Sequence, residues 1–354
     1  MDYPKIKVAK KLVKDTQRVF IGAYGFEARS LGWVGLQRGN EILNQALVFR
    51  YKKPKGRNLV RELRCYLSDL GVRQRNEIQY ETHYPYEIEN NLEAALPELV
   101  CSADELVVDI SAMTKLLILV CLCKLTNFKG TLRLVYSEAE DYAPTKLEYE
   151  QSKSNMELIA KFPSRGFESI TRLKCLSSVR MQGQPVSLVA FTSFNEQLVR
   201  HMLGSITPHR LFFINGRPPR SDYAWREWAT QEIHSKLIEE FRVDNPTDKK
   251  GHLVGVSSTL HFKETIDRIN EIYSDYGTYE RIICAATGSK MQTVGLFFAK
   301  MMHPDIHIEY PTPDSYYVKG LSTGVRRIYE IVIPNFSYFV SEVLSNEVAA
   351  NANV

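Results

Sequence analysis

VVDISAMTKLLILVCLCKLTNFKGTLRLVYSEAEDY, residues 107–142, and IICAATGSKMQTVGLFFAKMMHPDIHIEYPTPDSYY, residues 282–317, lie one beneath the other without a gap when Lys115 is set on Lys290. Each reads as an apolar strand, a short loop of small and hydroxylated residues closing on Thr-Lys or Ser-Lys, an apolar helix, and a second strand ending at Tyr136 or Tyr310. That succession predicts a parallel sheet with the loop at the carboxyl end of a strand, where such sheets present their ligands.

The lysine makes the loop chemically informative. A helix N-terminus carries partial positive charge and unpaired N–H groups, so a cation in the first turn costs roughly 0.3–1 kcal/mol unless an anion is present. The chain accepts that cost twice, at Lys115 and at Lys290. Phosphate is the expected occupant, held by the helix N–H groups, by the hydroxyls of Ser111 and Thr114 or of Thr287 and Ser289, and by the ammonium. The structural alternative has Ser111 and Thr287 capping helices while each lysine extends into water. The repetition favours the anion.

Working outward, residues 18–23 (RVFIGA) and 187–192 (SLVAFT) read as first strands, followed by the turns Tyr24-Gly25-Phe26-Glu27 and Ser193-Phe194-Asn195-Glu196. Strands at 46–51 and 210–215 each run into a basic, proline-containing loop, one with Lys53 and Arg57, the other with Arg217 and Arg220. These are surface turns or contacts to RNA or DNA. Helices at 59–70 and 223–241, strands at 77–81 and 252–257, and helices at 87–99 and 262–273 lead to the lysine-loop strands. The alternation predicts an α/β fold of two doubly wound, mainly parallel Rossmann-like domains, related by internal duplication and a pseudo-twofold axis, with both lysine loops facing a common cleft. The expected boundaries are 1–145 for the first domain, 146–184 for a polar connector carrying Arg165, Arg172, Lys174 and Arg180, and 185–354 for the second. A last strand at 328–333 and a helix from 337 fall to the second domain, with too few residues beyond them for an appended catalytic module.

Composition narrows the class. The chain has 354 residues, 44% hydrophobic and 24% charged, which suits two ordinary cores. Forty-five basic against 41 acidic residues leave +4, too mild for a nucleic-acid coat. The six cysteines are scattered among apolar segments with no CxxC spacing, as in a reduced, cytoplasmic protein. The start lacks the apolar core of a signal peptide, and the longest apolar run, residues 116–123, is too short to span a bilayer.

Several chemistries lack their signatures. Neither first strand leads into GxGxxG, the P-loop spacing is absent around Lys290, and no histidine belongs to an HExxH or a nucleophile pair. No cofactor, no metal and no catalytic residue is assigned. Asp109 ends one lysine-loop strand within reach of a ribose hydroxyl, but Cys284 stands in its place in the other copy. Aromatic residues gather at the expected ligand edge, among them Tyr24, Phe26, Tyr136, Phe194 and Tyr310; stacking on bases is their functional use, and packing of core and rim is the commoner one.

Strand, then DISAMTK or AATGSK, then apolar helix resembles the CRISPR-associated Rossmann-fold (CARF) sensor domains and the related SAVED domains. The resemblance implies a cyclic oligonucleotide, or another phosphate-containing nucleotide, held across a twofold cleft. It assigns Ser111, Thr114, Lys115, Thr287, Ser289 and Lys290 to phosphate and ribose, with Tyr24 and Ser193 lining the cleft. Ala112-Met113 stands where the family usually carries two glycines. Three readings follow: a sensor that signals to a separate protein effector in antiviral defence; a metal-independent ring nuclease in the same cleft; and a scaffold subunit with vestigial clefts. None places the chain in a membrane.

Overall fold

The computed structural model describes residues 3–52, 58–81, 84, 86–155, 162–241, 255–317 and 321–351. The chain forms two compact units, Met1–Ala143 with Val318–Glu342, and Pro144–Tyr317 with Val343–Val354. The first begins with β1 (Lys7–Val8), β2 (Arg18–Ala23), α1 (Gly32–Gln37), β3 (Gln45–Tyr51), α2 (Val60–Asp69), β4 (Gln74–Tyr80) and α3 (Glu87–Cys101). It continues through β5 (Glu105–Asp109), α4 (Lys115–Lys124), β6 (Thr131–Glu138) and β7 (Asp141–Tyr142). The second unit comprises α5 (Lys146–Ser152), β8 (Ser164–Arg165), β9 (Ser169–Thr171), β10 (Val186–Phe191), α6 (Gln197–Ile206), β11 (Arg210–Arg217), α7 (Trp225–Ile233) and α8 (Ser235–Glu240). Then come β12 (Val256–Ser258), α9 (Phe262–Tyr276), β13 (Arg281–Ala285), α10 (Lys290–Met302), β14 (His307–Thr312) and β15 (Ser315–Tyr316). The chain returns to the first unit for β16 (Ser322–Thr323) and β17 (Arg327–Ile333), and α11 (Phe336–Asn351) follows.

The first sheet has the order β1-β17-β6-β5-β2-β3-β4, and the second β12-β11-β10-β13-β14-β9. Strands β2 to β6 pair in parallel, as do β10 to β14. Numbered along the chain within each unit, both parallel sets read 3-2-1-4-5, so each unit is doubly wound and Rossmann-like. Each also carries an antiparallel strand beside its fifth parallel strand, β17 on β6 and β9 on β14. β2 and β5 are buried at every residue, as strands covered on both faces must be. α4 is apolar all round, and Leu116 through Leu122 are fully buried along it.

A ladder of charge runs across four strands of the first sheet. Glu105 on β5 accepts from Arg18 on β2 and from Arg133 on β6, both at 2.5 Å, and Arg133 reaches Glu330 on β17 at 2.8 Å. All four side chains are buried or nearly so. A one-residue slip of β17 would turn Glu330 to the other face and strand Arg133, so the ladder holds the register Glu330↔Val135.

This strand also redraws the boundaries expected from sequence. Residues 327–333 do not extend the second domain. They complete the first sheet, because β6 would otherwise be left as an open edge. Residues 146–184 are not a mere connector either, since they supply α5, β8 and β9 to the second unit, where Arg172 pairs with buried Glu309 at 2.7 Å. Among the described residues no helix is long and apolar enough to cross a membrane.

Candidate functional site

In each unit the strand order reverses beside the first parallel strand, between β2 and β5 and between β10 and β13. In a doubly wound sheet such a reversal, outside the carboxyl ends of the strands, is the usual ligand position. The lysine loops occupy it, Ile110–Thr114 after β5 and Ala286–Ser289 after β13.

The first loop is built from the strand end upward. Asp109, buried at the end of β5, accepts from the Ser111 N–H at 2.9 Å and starts a single 3-10 turn, Ile110–Ala112. The buried Ser111 hydroxyl accepts from the Ser137 N–H on β6 at 2.8 Å, tying the loop to the next strand. Tyr51, from the end of β3, donates to the Ala112 carbonyl at 2.9 Å and accepts from the Thr114 N–H at 3.1 Å. Thr114 is the N-cap of α4, accepting from the Leu117 N–H at 3.2 Å, and its hydroxyl also lies 3.4 Å from that of Tyr80. Lys115 is then the first helical residue. It keeps part of its surface in solvent, yet its ammonium sits deep enough that burial pulls its pKa down to about 8. A cation there has both the helix dipole and desolvation against it.

The second loop reaches a similar form with different parts. The buried Thr287 hydroxyl accepts from the Phe191 N–H at 2.9 Å and donates to the Phe191 carbonyl at 2.7 Å, so it clasps the end of β10. Gly288 is required where it stands, because a Cβ would lie 2.5 Å from Gln292 and 2.9 Å from the Phe191 ring. Ser289 is the N-cap of α10 in a reciprocal box with Gln292, at 3.1 and 2.7 Å, and its hydroxyl also donates to the Thr259 carbonyl at 2.8 Å. Lys290 follows as the first residue of the helix, partly buried like Lys115.

Thus both lysines stand where the sequence placed them, but the hydroxyls have other duties. Thr114 and Ser289 cap the helices, and Ser111 and Thr287 brace the loops from beneath. Tyr24 does not line a crevice. It is fully buried in the first core with Trp33 and Phe20, and its hydroxyl donates to Glu77 at 2.6 Å. Ser193 is half-buried and closes a turn on Asn195, at 3.3 Å both ways. Of the basic loops, Lys53 and Arg57 lie outside the described residues. Arg217 pairs with Glu264 at 2.7 Å, and Arg220 with Asp222 while lying over the Tyr223 ring.

The sequence reading missed Tyr51, Tyr80 and Gln292 as the parts that hold the loops. Gln292 was legible as the fourth residue of Ser289-Lys290-Met291-Gln292, a capping-box spacing. Tyr51 and Tyr80 carried no local signal, since only the strand pairing β3·β4 brings them to the loop. A buried pair was missed too. Glu27, in the turn after β2, takes Arg29 through two hydrogen bonds at 3.0 and 2.9 Å. Burial alone would lower the Arg29 pKa, and Glu27, with Tyr136 and Tyr142 nearby, raises it instead, so it stays charged.

Set beside known proteins, the sequence matches no protein-family model. No curated protein matches it either. Among solved structures, the chain is similar to a type III CRISPR defence DNA nuclease activated by cyclic oligoadenylate, at 13% identity and a TM-score of 0.44, over 87% of this chain and 68% of that one. It also aligns with the cytoplasmic domain of a prokaryotic cation chloride cotransporter, at 7% identity and a TM-score of 0.23, over 86% of this chain and 99% of that one. At these scores neither likeness carries an argument, and the site stands on its own chemistry.

Proposed function

We propose that the protein is a sensor that binds a phosphate-bearing nucleotide, a cyclic or linear oligonucleotide, at its lysine-headed loops and passes the bound state to a separate effector protein, in antiviral defence. One observation carries the reading. Two helices, α4 and α10, each begin with lysine directly after a capping Thr or Ser, at the carboxyl edge of a 3-2-1-4-5 sheet. At Lys115 the cation is moreover held against desolvation. An incoming phosphate would offset both costs by meeting the ammonium at the positive end of the helix.

The same geometry favours holding over cutting. A ring nuclease working without metal needs a hydroxyl or base aimed at the ribose, whereas the hydroxyls of Ser111, Thr114, Thr287 and Ser289 are engaged within the loops. Incubation with cyclic oligoadenylates and dinucleotides, following both melting temperature and product, tests the proposal. Stabilisation without turnover is expected. Turnover would make the protein a ring nuclease, and no response to any of them would leave the scaffold reading.

A further inference from the structure

The antiparallel strand beside the fifth parallel strand of each unit lies in the chain after the core of the other. Residues 18–142 build the parallel core of the first unit, and the next strands in sequence, β8 and β9, join the second. Residues 186–316 build the parallel core of the second, and the next strands, β16 and β17, join the first.

The two incoming segments, Ser164-Arg165-Gly166-Phe167 and Ser322-Thr323-Gly324-Val325, are seated alike residue for residue. Ser164 pairs with Tyr316 and Ser322 with Tyr142; seven residues on, Thr171 lies opposite Tyr310 and Tyr329 opposite Tyr136. The tyrosines they face are themselves matched, Tyr136 to Tyr142 and Tyr310 to Tyr316 through their hydroxyls, each at 3.2 Å. Gly166 and Gly324 both take positive φ, +64° and +62°, and a Cβ on either would lie 2.9 Å from an acidic side chain, Asp314 or Glu140. Each serine meets the residue after the phenylalanine of the first turn: Ser322 donates to Glu27, and Ser164 accepts from Asn195 at 3.4 Å.

We infer that the chain is two collinear repeats, 18–173 and 186–333, that exchange their final strands, so that each half completes the ligand-bearing edge of the other. Read this way, core and edge segment follow the same order in both halves. Read without exchange, one unit would run core then segment and the other segment then core, and a permutation would be needed to relate them. The exchanged segments also connect to the lysine loops through the turn after each first strand. In the first unit Ser322 holds Glu27, two residues from Gly25, whose Cβ position is 2.9 Å from Ala112 in the loop. In the second, Asn195 donates to the Gly166 carbonyl at 2.9 Å, four residues after Phe191, which Thr287 clasps. A change at either loop is therefore felt by a segment continuous with the other half. The exchange itself does not depend on what occupies the loops.

The exposed turn at 182–184, where Gly183 has open space around it, gives a place to test this in the full chain. A protease site inserted after Gln182 allows the folded protein to be nicked into 1–182 and 183–354. Exchange predicts that the pieces co-elute one to one in native buffer and part only in urea. It predicts further that Ile331→Pro in β17, or Ile170→Pro in β9, lowers the urea concentration at which they part, and that Val179→Ala on the surface does not. If a proline variant fails to fold, Glu330→Gln, which weakens the rung to Arg133, takes its place with a smaller shift in the same direction. Two separately folded monomers after nicking would overturn the inference, and so would a parting concentration that none of these strand variants moves.

Discussion

Lys115 shows how much one side chain can say. Its pKa of about 8 against an ordinary 10.5 means that the folded chain binds fewer protons than the unfolded one between those values. The cost of burying the charge is complete below pH 8 and lifts as pH rises toward 10.5. Lys115→Met is therefore expected to raise the melting temperature at pH 7, with the gain shrinking between pH 8 and 10; a melting series across that range checks it. Ligand affinity should move oppositely in the parent, falling above pH 8 as the cation is lost. His234 makes the same case at lower pH. Buried, with its Nδ1 2.9 Å from the Thr230 carbonyl, it is pushed down to about 4 by desolvation. The unfolded chain takes up that proton first, so stability is lost as pH falls from 6.5 toward 4, by about 3 kcal/mol across the full window. Thermal melts of His234→Leu should lose less between pH 6.5 and 4.5 than those of the parent. Ser289→Ala should cost about 1 kcal/mol through the lost cap, read by urea denaturation.

The elements were legible where local chemistry decides them. The apolar runs of β5, β13, α4 and α10 were readable because strand and helix burial impose themselves on composition, but the caps were not: they are Thr114 and Ser289, where the sequence suggested Ser111 and Thr287. The edges were not. β17 reads as an alternating strand, but nothing within residues 327–333 names its neighbour; Glu330 identifies it only once Arg133 is across from it. The partial repeat of Ser322-Thr323-Gly324 in Ser164-Arg165-Gly166 was the available signal, and its length of three residues hides it among many Ser and Gly pairs. Because the rung is buried, Glu105→Gln leaves Arg18 and Arg133 without their shared counter-charge. A loss of about 3–5 kcal/mol is expected, measured as a fall in the urea midpoint.

At the scale of the whole molecule, the fold class followed from the order of elements, since β-α alternation admits few topologies. Domain boundaries did not follow, because a chain that leaves a sheet and returns to it gives no compositional break at either point. The candidate site divided in the same way. The two lysines came from a positional rule about helix termini and stayed where that rule put them, while Tyr24 was placed at an edge by its sequence position and proved to belong to the core, where its hydroxyl donates a hydrogen bond to Glu77. The central proposal is that Lys115 and Lys290 each meet a phosphate of a nucleotide ligand. Calorimetric titration of the parent, Lys115→Met and Lys290→Met chains with cyclic oligoadenylates tests this most directly. Binding by the parent that weakens about tenfold or more in each variant, as loss of a charge-assisted contact requires, is the predicted result. Affinities equal in all three chains, or no heat from the parent with any such ligand, would contradict it.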